Sequence, residues 1–107
     1  MTLRRRRRFG DLVTRQLDLF AADESALLAE AGEAETAWND TERDSAEERY
    51  GDLQLVLDAI GDRLLDIRET YAATLDEAAA DEYRVAFTRA ARKRFGLAAS
   101  ILADGSE

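Results

Sequence analysis

Between residues 53 and 71 the large apolar side chains fall at Leu53, Val56, Leu57, Ile60, Leu64, Ile67 and Tyr71, a run of three- and four-residue steps. At about 100° per residue these positions share one face roughly 100° wide, the pattern of an amphipathic helix and not of a strand, whose faces alternate. The chain has no Pro, and it is rich in Ala, Leu, Glu and Arg with few β-branched residues. Backbone chemistry therefore favours helix from end to end. The stripe predicts a helix over 45–72. Ser45-Ala46-Glu47-Glu48 has the form of a capping box at its start, and Thr74-Leu75-Asp76-Glu77 repeats that form ahead of a further helix over 75–95 or longer. Asp76 and Glu77 suit the positive end of that helix dipole and Arg92, Lys93 and Arg94 its negative end; Gly96 offers a stop, the alternative being a further turn or two carrying Leu97, Ile101 and Leu102.

The first half carries two weaker patterns. Phe9, Leu12, Val13, Leu17 and Phe20 share a face of a helix over 4–21, and Leu27, Ala31, Ala34 and Trp38 mark one over 24–39, capped by Asp23 or Ser25. Asn39-Asp40-Thr41 competes for backbone hydrogen bonds and favours a break there, the alternative being one helix from 24 to 72. Short connections make neighbouring helices antiparallel. The expected fold is all-α: a small antiparallel helical bundle of three to four helices in a single domain over 1–107, with fraying at 1–5 and 104–107. Twenty residues are Ala and only 25 are Leu, Ile, Val, Met or Phe, so Trp38, Phe87, Phe9, Phe20 and Tyr71 must fill much of the core. Dimerisation is a natural way for so thin a core to add burial.

Function is constrained mainly by what is missing. There is no His or Cys, hence no imidazole base, thiolate nucleophile, disulfide framework or zinc-thiolate site. No nucleophile–base–orienter set or Gly-rich phosphate loop is present, and the carboxylates fall on polar faces where burial would not raise their pKa values. Glu30, Glu33 and Glu35 or the aspartates of 45–72 offer oxygen ligands, but without a calcium-loop spacing or a Glu-x-x-His pair. The expectation is a protein that is not an enzyme, with no metal, cofactor or small-molecule substrate. Arg4 to Arg8 are followed by Phe9-Gly10-Asp11-Leu12-Val13-Thr14-Arg15, which is too charged for the core of a signal peptide, and no uncharged run approaches ~20 residues. A cytoplasmic location and no membrane partner are expected.

The net charge of −8 is strongly segregated. Residues 1–16 carry +5, residues 17–83 carry −16, residues 84–95 carry +5, and the tail from 96 carries −2. On the 45–72 helix Asp58, Asp62, Asp66 and Glu69 form an acidic ladder opposite the apolar face, with Leu55 and Leu65 beside it. Like charges at i,i+4 disfavour a helix by about 0.2–0.5 kcal/mol per pair, so local energetics do not select this ladder. It reads as a solvated face or as a docking face for a basic partner. If the number of helices is even, the start of the first and the end of the last come together. Arg4, Arg5, Arg6, Arg7 and Arg8 would then join Arg89, Arg92, Lys93 and Arg94 in one basic pole.

Three functions fit these features. The favoured one is a helical protein–protein interaction or structural module acting as a homodimer, in which the Arg-rich ends of one copy complement the acids of another. The alternative is an accessory factor of nucleic acid or nucleoprotein that contacts phosphate through the basic pole. The third is regulatory, the acidic face occupying a basic surface that normally takes nucleic acid.

Overall fold

A computed structural model of the chain describes residues 8–40, 45–100 and 102. Among the described residues four α-helices follow one another: α1 (Gly10–Asp23), α2 (Ser25–Asn39), α3 (Ala46–Ala72) and α4 (Glu77–Phe95), the last running into a 3-10 turn (Gly96–Ala99). No described residue lies in a strand, and the fold is the small all-α bundle that the periodicity implies. Some expected boundaries move: α1 begins at Gly10, the expected start at residue 4 lying outside the described residues, and ends at Asp23 instead of 21, and α4 begins at Glu77 instead of 75.

The helix ends use different caps from those the sequence suggests. Ser45 makes no side-chain capping bond, so the first capping box does not form. At the second, Asp76 is the cap, its Oδ1 accepting from the Ala79 amide at 2.9 Å. Thr74 instead donates its hydroxyl to the Tyr71 carbonyl at 2.7 Å, closing the preceding helix. The first helix break also lies elsewhere: neither Asp23 nor Ser25 caps α2, which is separated from α1 by Glu24 alone, at φ −110° and ψ 30°. The Glu24 amide still donates to Phe20 O at 2.8 Å, and its carbonyl still accepts from the Leu28 amide at 2.9 Å. The backbone ladder thus continues through the bend, and α1 and α2 make one bent rod.

That rod runs antiparallel to α3, closely packed on it through α2 and only lightly through α1. Glu24 meets Arg63 near the middle (3.2 Å), Trp38 meets Tyr50 toward the far end (ring centroids 5.8 Å), and Gln16 lies near Tyr71 at the near end. Residues 24–72 are therefore two helices that reverse direction. α4 then returns antiparallel to α3, with Arg68 beside Thr88 and Glu69 beside Arg84. It runs parallel to α1: Phe9 stacks edge-on against Tyr83 at 5.5 Å, and Phe20 against Phe95 at 5.4 Å.

Because α1 and α2 count as one pass, the described residues make three passes, and the first and last rise together. The lower part is a three-layer base of α1, the C-terminal half of α3 and α4, closed by the 3-10 turn. Beyond the end of α4 and its 3-10 turn, among the described residues, α2 and the N-terminal half of α3 continue as a two-helix arm. The molecule measures 54 × 28 × 24 Å with a radius of gyration of 15.8 Å, against about 13 Å for a compact chain of this length.

The base holds the core: Phe9, Val13, Leu17 and Phe20 of the first pass, Ile60, Leu64 and Ala72 of α3, and Ala79, Ala80, Tyr83, Phe87 and Ala91 of α4. Ala98, Ala99 and Leu102 fold back onto it. The reversal at Gly96, with φ 58° and ψ −124°, makes this possible, a conformation that a residue bearing Cβ adopts only with strain. Trp38 departs from its expected place in the core and lies 38% exposed on the arm.

Candidate interaction surface

Among the described residues the buried charged group of the base is Arg68, on α3. Its Nη1 donates to Thr88 Oγ1 at 2.8 Å and its Nε to Glu69 Oε2 at 2.8 Å. Arg84 of α4 reaches the same carboxylate at 3.1 Å and also meets Asp81 at 3.3 Å. The Arg84 guanidinium, with Arg68 behind it, holds the Glu69 carboxyl below its usual range despite partial burial, and Glu69 in turn raises Arg84. Tyr83, fully buried nearby, donates its hydroxyl to Gln16 Oε1 at 2.7 Å. Burial pushes its pKa up to about 12. A carboxylate held ionised and a phenol held protonated are poor proton carriers near neutral pH. The cluster staples α1, α3 and α4 together.

The arm is different in kind. No residue of α2 is buried, and the helix packs principally on α3. Leu27, Leu28 and Ala31 are only partly covered, because α4 ends level with Phe20 and, among the described residues, only the 3-10 turn and Leu102 follow it. Trp38 and Tyr50 lie side by side toward the tip with Tyr50 51% exposed, and Leu55 is 72% exposed. Around them stand Glu30, Glu33, Glu35, Glu47, Glu48 and Asp52. Among the described residues the arm makes one ion pair, Glu24–Arg63 at its root.

A second open surface lies at the opposite end of the molecule. Phe9, Gly10, Val13 and Thr14 of the first pass and Glu82, Val85, Ala86, Arg89, Ala90 and Lys93 of α4 line a groove of about 690 Å³. Its floor is apolar and its rim is mostly basic. Arg8 approaches Glu82 at 3.5 Å across one end, leaving the second oxygen of Glu82 buried without a hydrogen-bond partner among the described residues. Arg89 and Lys93 form no ion pair among the described residues.

The residues singled out by sequence are dispersed among these features. In the acidic ladder Asp62 and Asp66 are exposed, Asp58 is half-buried and accepts from Gln54 at 3.2 Å, and Glu69 is committed to Arg68 and Arg84. Leu55 stands out in solvent, whereas Leu65 packs partly against the core, since α4 covers that flank of α3. The ladder is thus a free acidic strip only at Asp62 and Asp66.

The basic residues are not gathered into one pole by the described part of the chain. Arg8 sits at the start of the first pass beside Glu82. Arg94 sits near the end of α1, paired with Asp18 at 2.6 Å. Ten residues of helix, about 15 Å, separate those points. Arg92 is spent on the Leu102 carbonyl, and Arg4 to Arg7 lie outside the described residues. The even helix count that would have joined the two blocks fails because α1 and α2 form a single pass.

Sequence reasoning overlooked Trp38 and Tyr50 as surface residues. The clue was the composition of 24–39, where Leu27, Leu28 and Trp38 are the large apolar side chains and the rest of the face is Ala. Such a face cannot bury a Trp. Among the described residues no group of three or more acids could hold a metal ion, and no helix is long and apolar enough to cross a membrane. Comparison with protein-family models, curated proteins and solved structures gave no match.

Proposed function

We propose that this chain is a non-enzymatic protein-binding module that acts as a homodimer and places its two-helix arm in the interface. The observation that carries this reading is α2, a fifteen-residue helix with no buried residue. A helix draws most of its stability from tertiary packing of its apolar face. Here that face is half-covered, and Trp38, Tyr50 and Leu55 remain exposed beside it. A protein surface that completes the missing layer would bury these side chains, and a second copy is the partner always at hand. The absence of His and Cys and the commitment of Glu69 to two guanidinium groups support binding over catalysis.

The test is sedimentation equilibrium of the full chain over about 1–100 μM, combined with hydrogen exchange across the same range. The expected result is a monomer–dimer equilibrium in which association slows exchange of the α2 amides. A chain that stays monomeric throughout, with α2 exchange independent of concentration, overturns the proposal.

A further inference from the structure

Resting on the homodimer reading, we infer that two copies pair antiparallel about a two-fold axis, the Trp38–Tyr50 tip of each arm seated in the groove between α1 and α4 of the other. Three independent features converge on this arrangement.

The first is shape. Each molecule is stepped, three helices deep at the base and two deep along the arm. Val13 in the groove and Trp38 at the tip lie 25 residues apart on the bent rod, up to about 38 Å at 1.5 Å per residue. On a body 54 Å long this places groove and tip toward opposite ends. Antiparallel pairing therefore brings each tip to the other copy's groove, twice, by one symmetry operation, which is the requirement of an isologous interface.

The second is charge. Residues 24–58 hold eleven acids and two Arg, a net of −9. The groove lining carries Arg89 and Lys93 against the single acid Glu82, which Arg8 already meets at one end. Arm-to-arm pairing would oppose two acidic surfaces, whereas arm-to-groove pairing opposes unlike signs. Charge of this kind selects the register and suppresses the wrong one.

The third is side-chain chemistry. Trp and Tyr are the residue types that most often anchor interfaces. The groove offers an apolar floor of Phe9, Val13, Val85, Ala86 and Ala90, whose small members leave room for aromatic rings. Glu35 and Glu47 each stand one helical turn from an anchor, at Trp38 and Tyr50 respectively, within reach of cations on the rim.

The experiment is a charge swap on the full chain, read by sedimentation equilibrium at ~50 mM and ~300 mM salt. One variant reverses the groove, Arg89→Glu with Lys93→Glu; the other reverses the arm, Glu35→Lys with Glu47→Lys. All four positions are exposed, and unchanged circular dichroism verifies folding. The wild type should dimerise more weakly at high salt, each variant alone should dimerise at least about tenfold more weakly than wild type, and their equimolar mixture should regain wild-type affinity to within about threefold. The mixture recovers because both of its arm–groove contacts again join unlike charges. A wild-type dimer whose affinity neither variant lowers, or whose variants fail to recover on mixing, overturns the arm-in-groove arrangement while the homodimer reading stands. A wild type that is monomeric at both salt concentrations removes the homodimer reading and this inference with it. An independent readout uses the Cys-free background: under mild oxidation an Asn39→Cys chain should cross-link to a Thr14→Cys chain faster than to itself. The reverse preference overturns the arrangement.

Discussion

Arg68 shows how one residue can tie a helical base together. A guanidinium taken out of water is tolerated only when its donors find acceptors, and Thr88 Oγ1 and the Glu69 carboxylate supply two of them. Thr88→Val preserves shape while removing the first acceptor, and should cost about 1–3 kcal/mol in urea unfolding. Glu69 adds a pH dependence. Its folded pKa lies below the usual 4.5, so its contribution is complete above that value and is lost as pH falls through the folded one. The acid limb of a stability–pH curve should flatten in Glu69→Gln. Tyr83 acts in the opposite sense, because its pKa rises from 10 to about 12 on folding. Its contribution is complete below about pH 10 and fades as pH rises through about 12. Tyr83→Phe should lose about 0.5–1.5 kcal/mol at neutral pH with the Gln16 hydrogen bond, and should show a flatter alkaline limb in thermal melts.

At the scale of elements, base and arm differ in how much each helix buries. Phe87→Ala in the base should cost about 3–5 kcal/mol, the usual penalty for emptying an aromatic site. Trp38→Ala on the arm should cost less than half of that in dilute monomer, since the ring is already more than a third exposed. In that monomer the amides of α2 should exchange faster than those of α4, having fewer buried neighbours to lose. Gly96 is the other sensitive point. A Cβ there meets no neighbouring atom, so the penalty for Gly96→Ala comes from the positive φ alone, about 1–3 kcal/mol by denaturant titration.

For the molecule as a whole, the segregation of charge has two consequences. Inside one copy the basic ends are partly consumed: Arg94 by Asp18, Arg92 by the Leu102 carbonyl, Arg8 by Glu82. The two ion pairs, Arg94–Asp18 and Arg8–Glu82, contribute little stability individually, about 0–1 kcal/mol each, but they register α1 against α4. The unspent charge includes the acidic arm, the Asp62–Asp66 strip on α3, and Arg89 with Lys93 in the groove at the far end. A body with opposite charges at its two ends associates in a salt-sensitive way. Raising salt from ~50 to ~300 mM should therefore weaken self-association while leaving the urea midpoint of dilute monomer nearly unchanged, and comparing the two measurements checks this.

The sequence by itself determined that the chain is helical, that α3 buries one face, and that a helix stops at Gly96, because periodicity, propensity and a residue without Cβ act locally. It also located Leu55 in solvent, a direct reading of angle around α3. Only tertiary structure decided the rest. A single residue at Glu24 bends a rod without reversing it, which sets the number of passes, and that number decides whether the basic ends meet. Leu65 and Glu69 face α4 because a third layer lies over that flank, and Trp38 is exposed because the same layer stops short of it. Each outcome depends on which elements lie beside one another, and hydrophobic patterning along one helix specifies that a face is to be covered without specifying what covers it or how far.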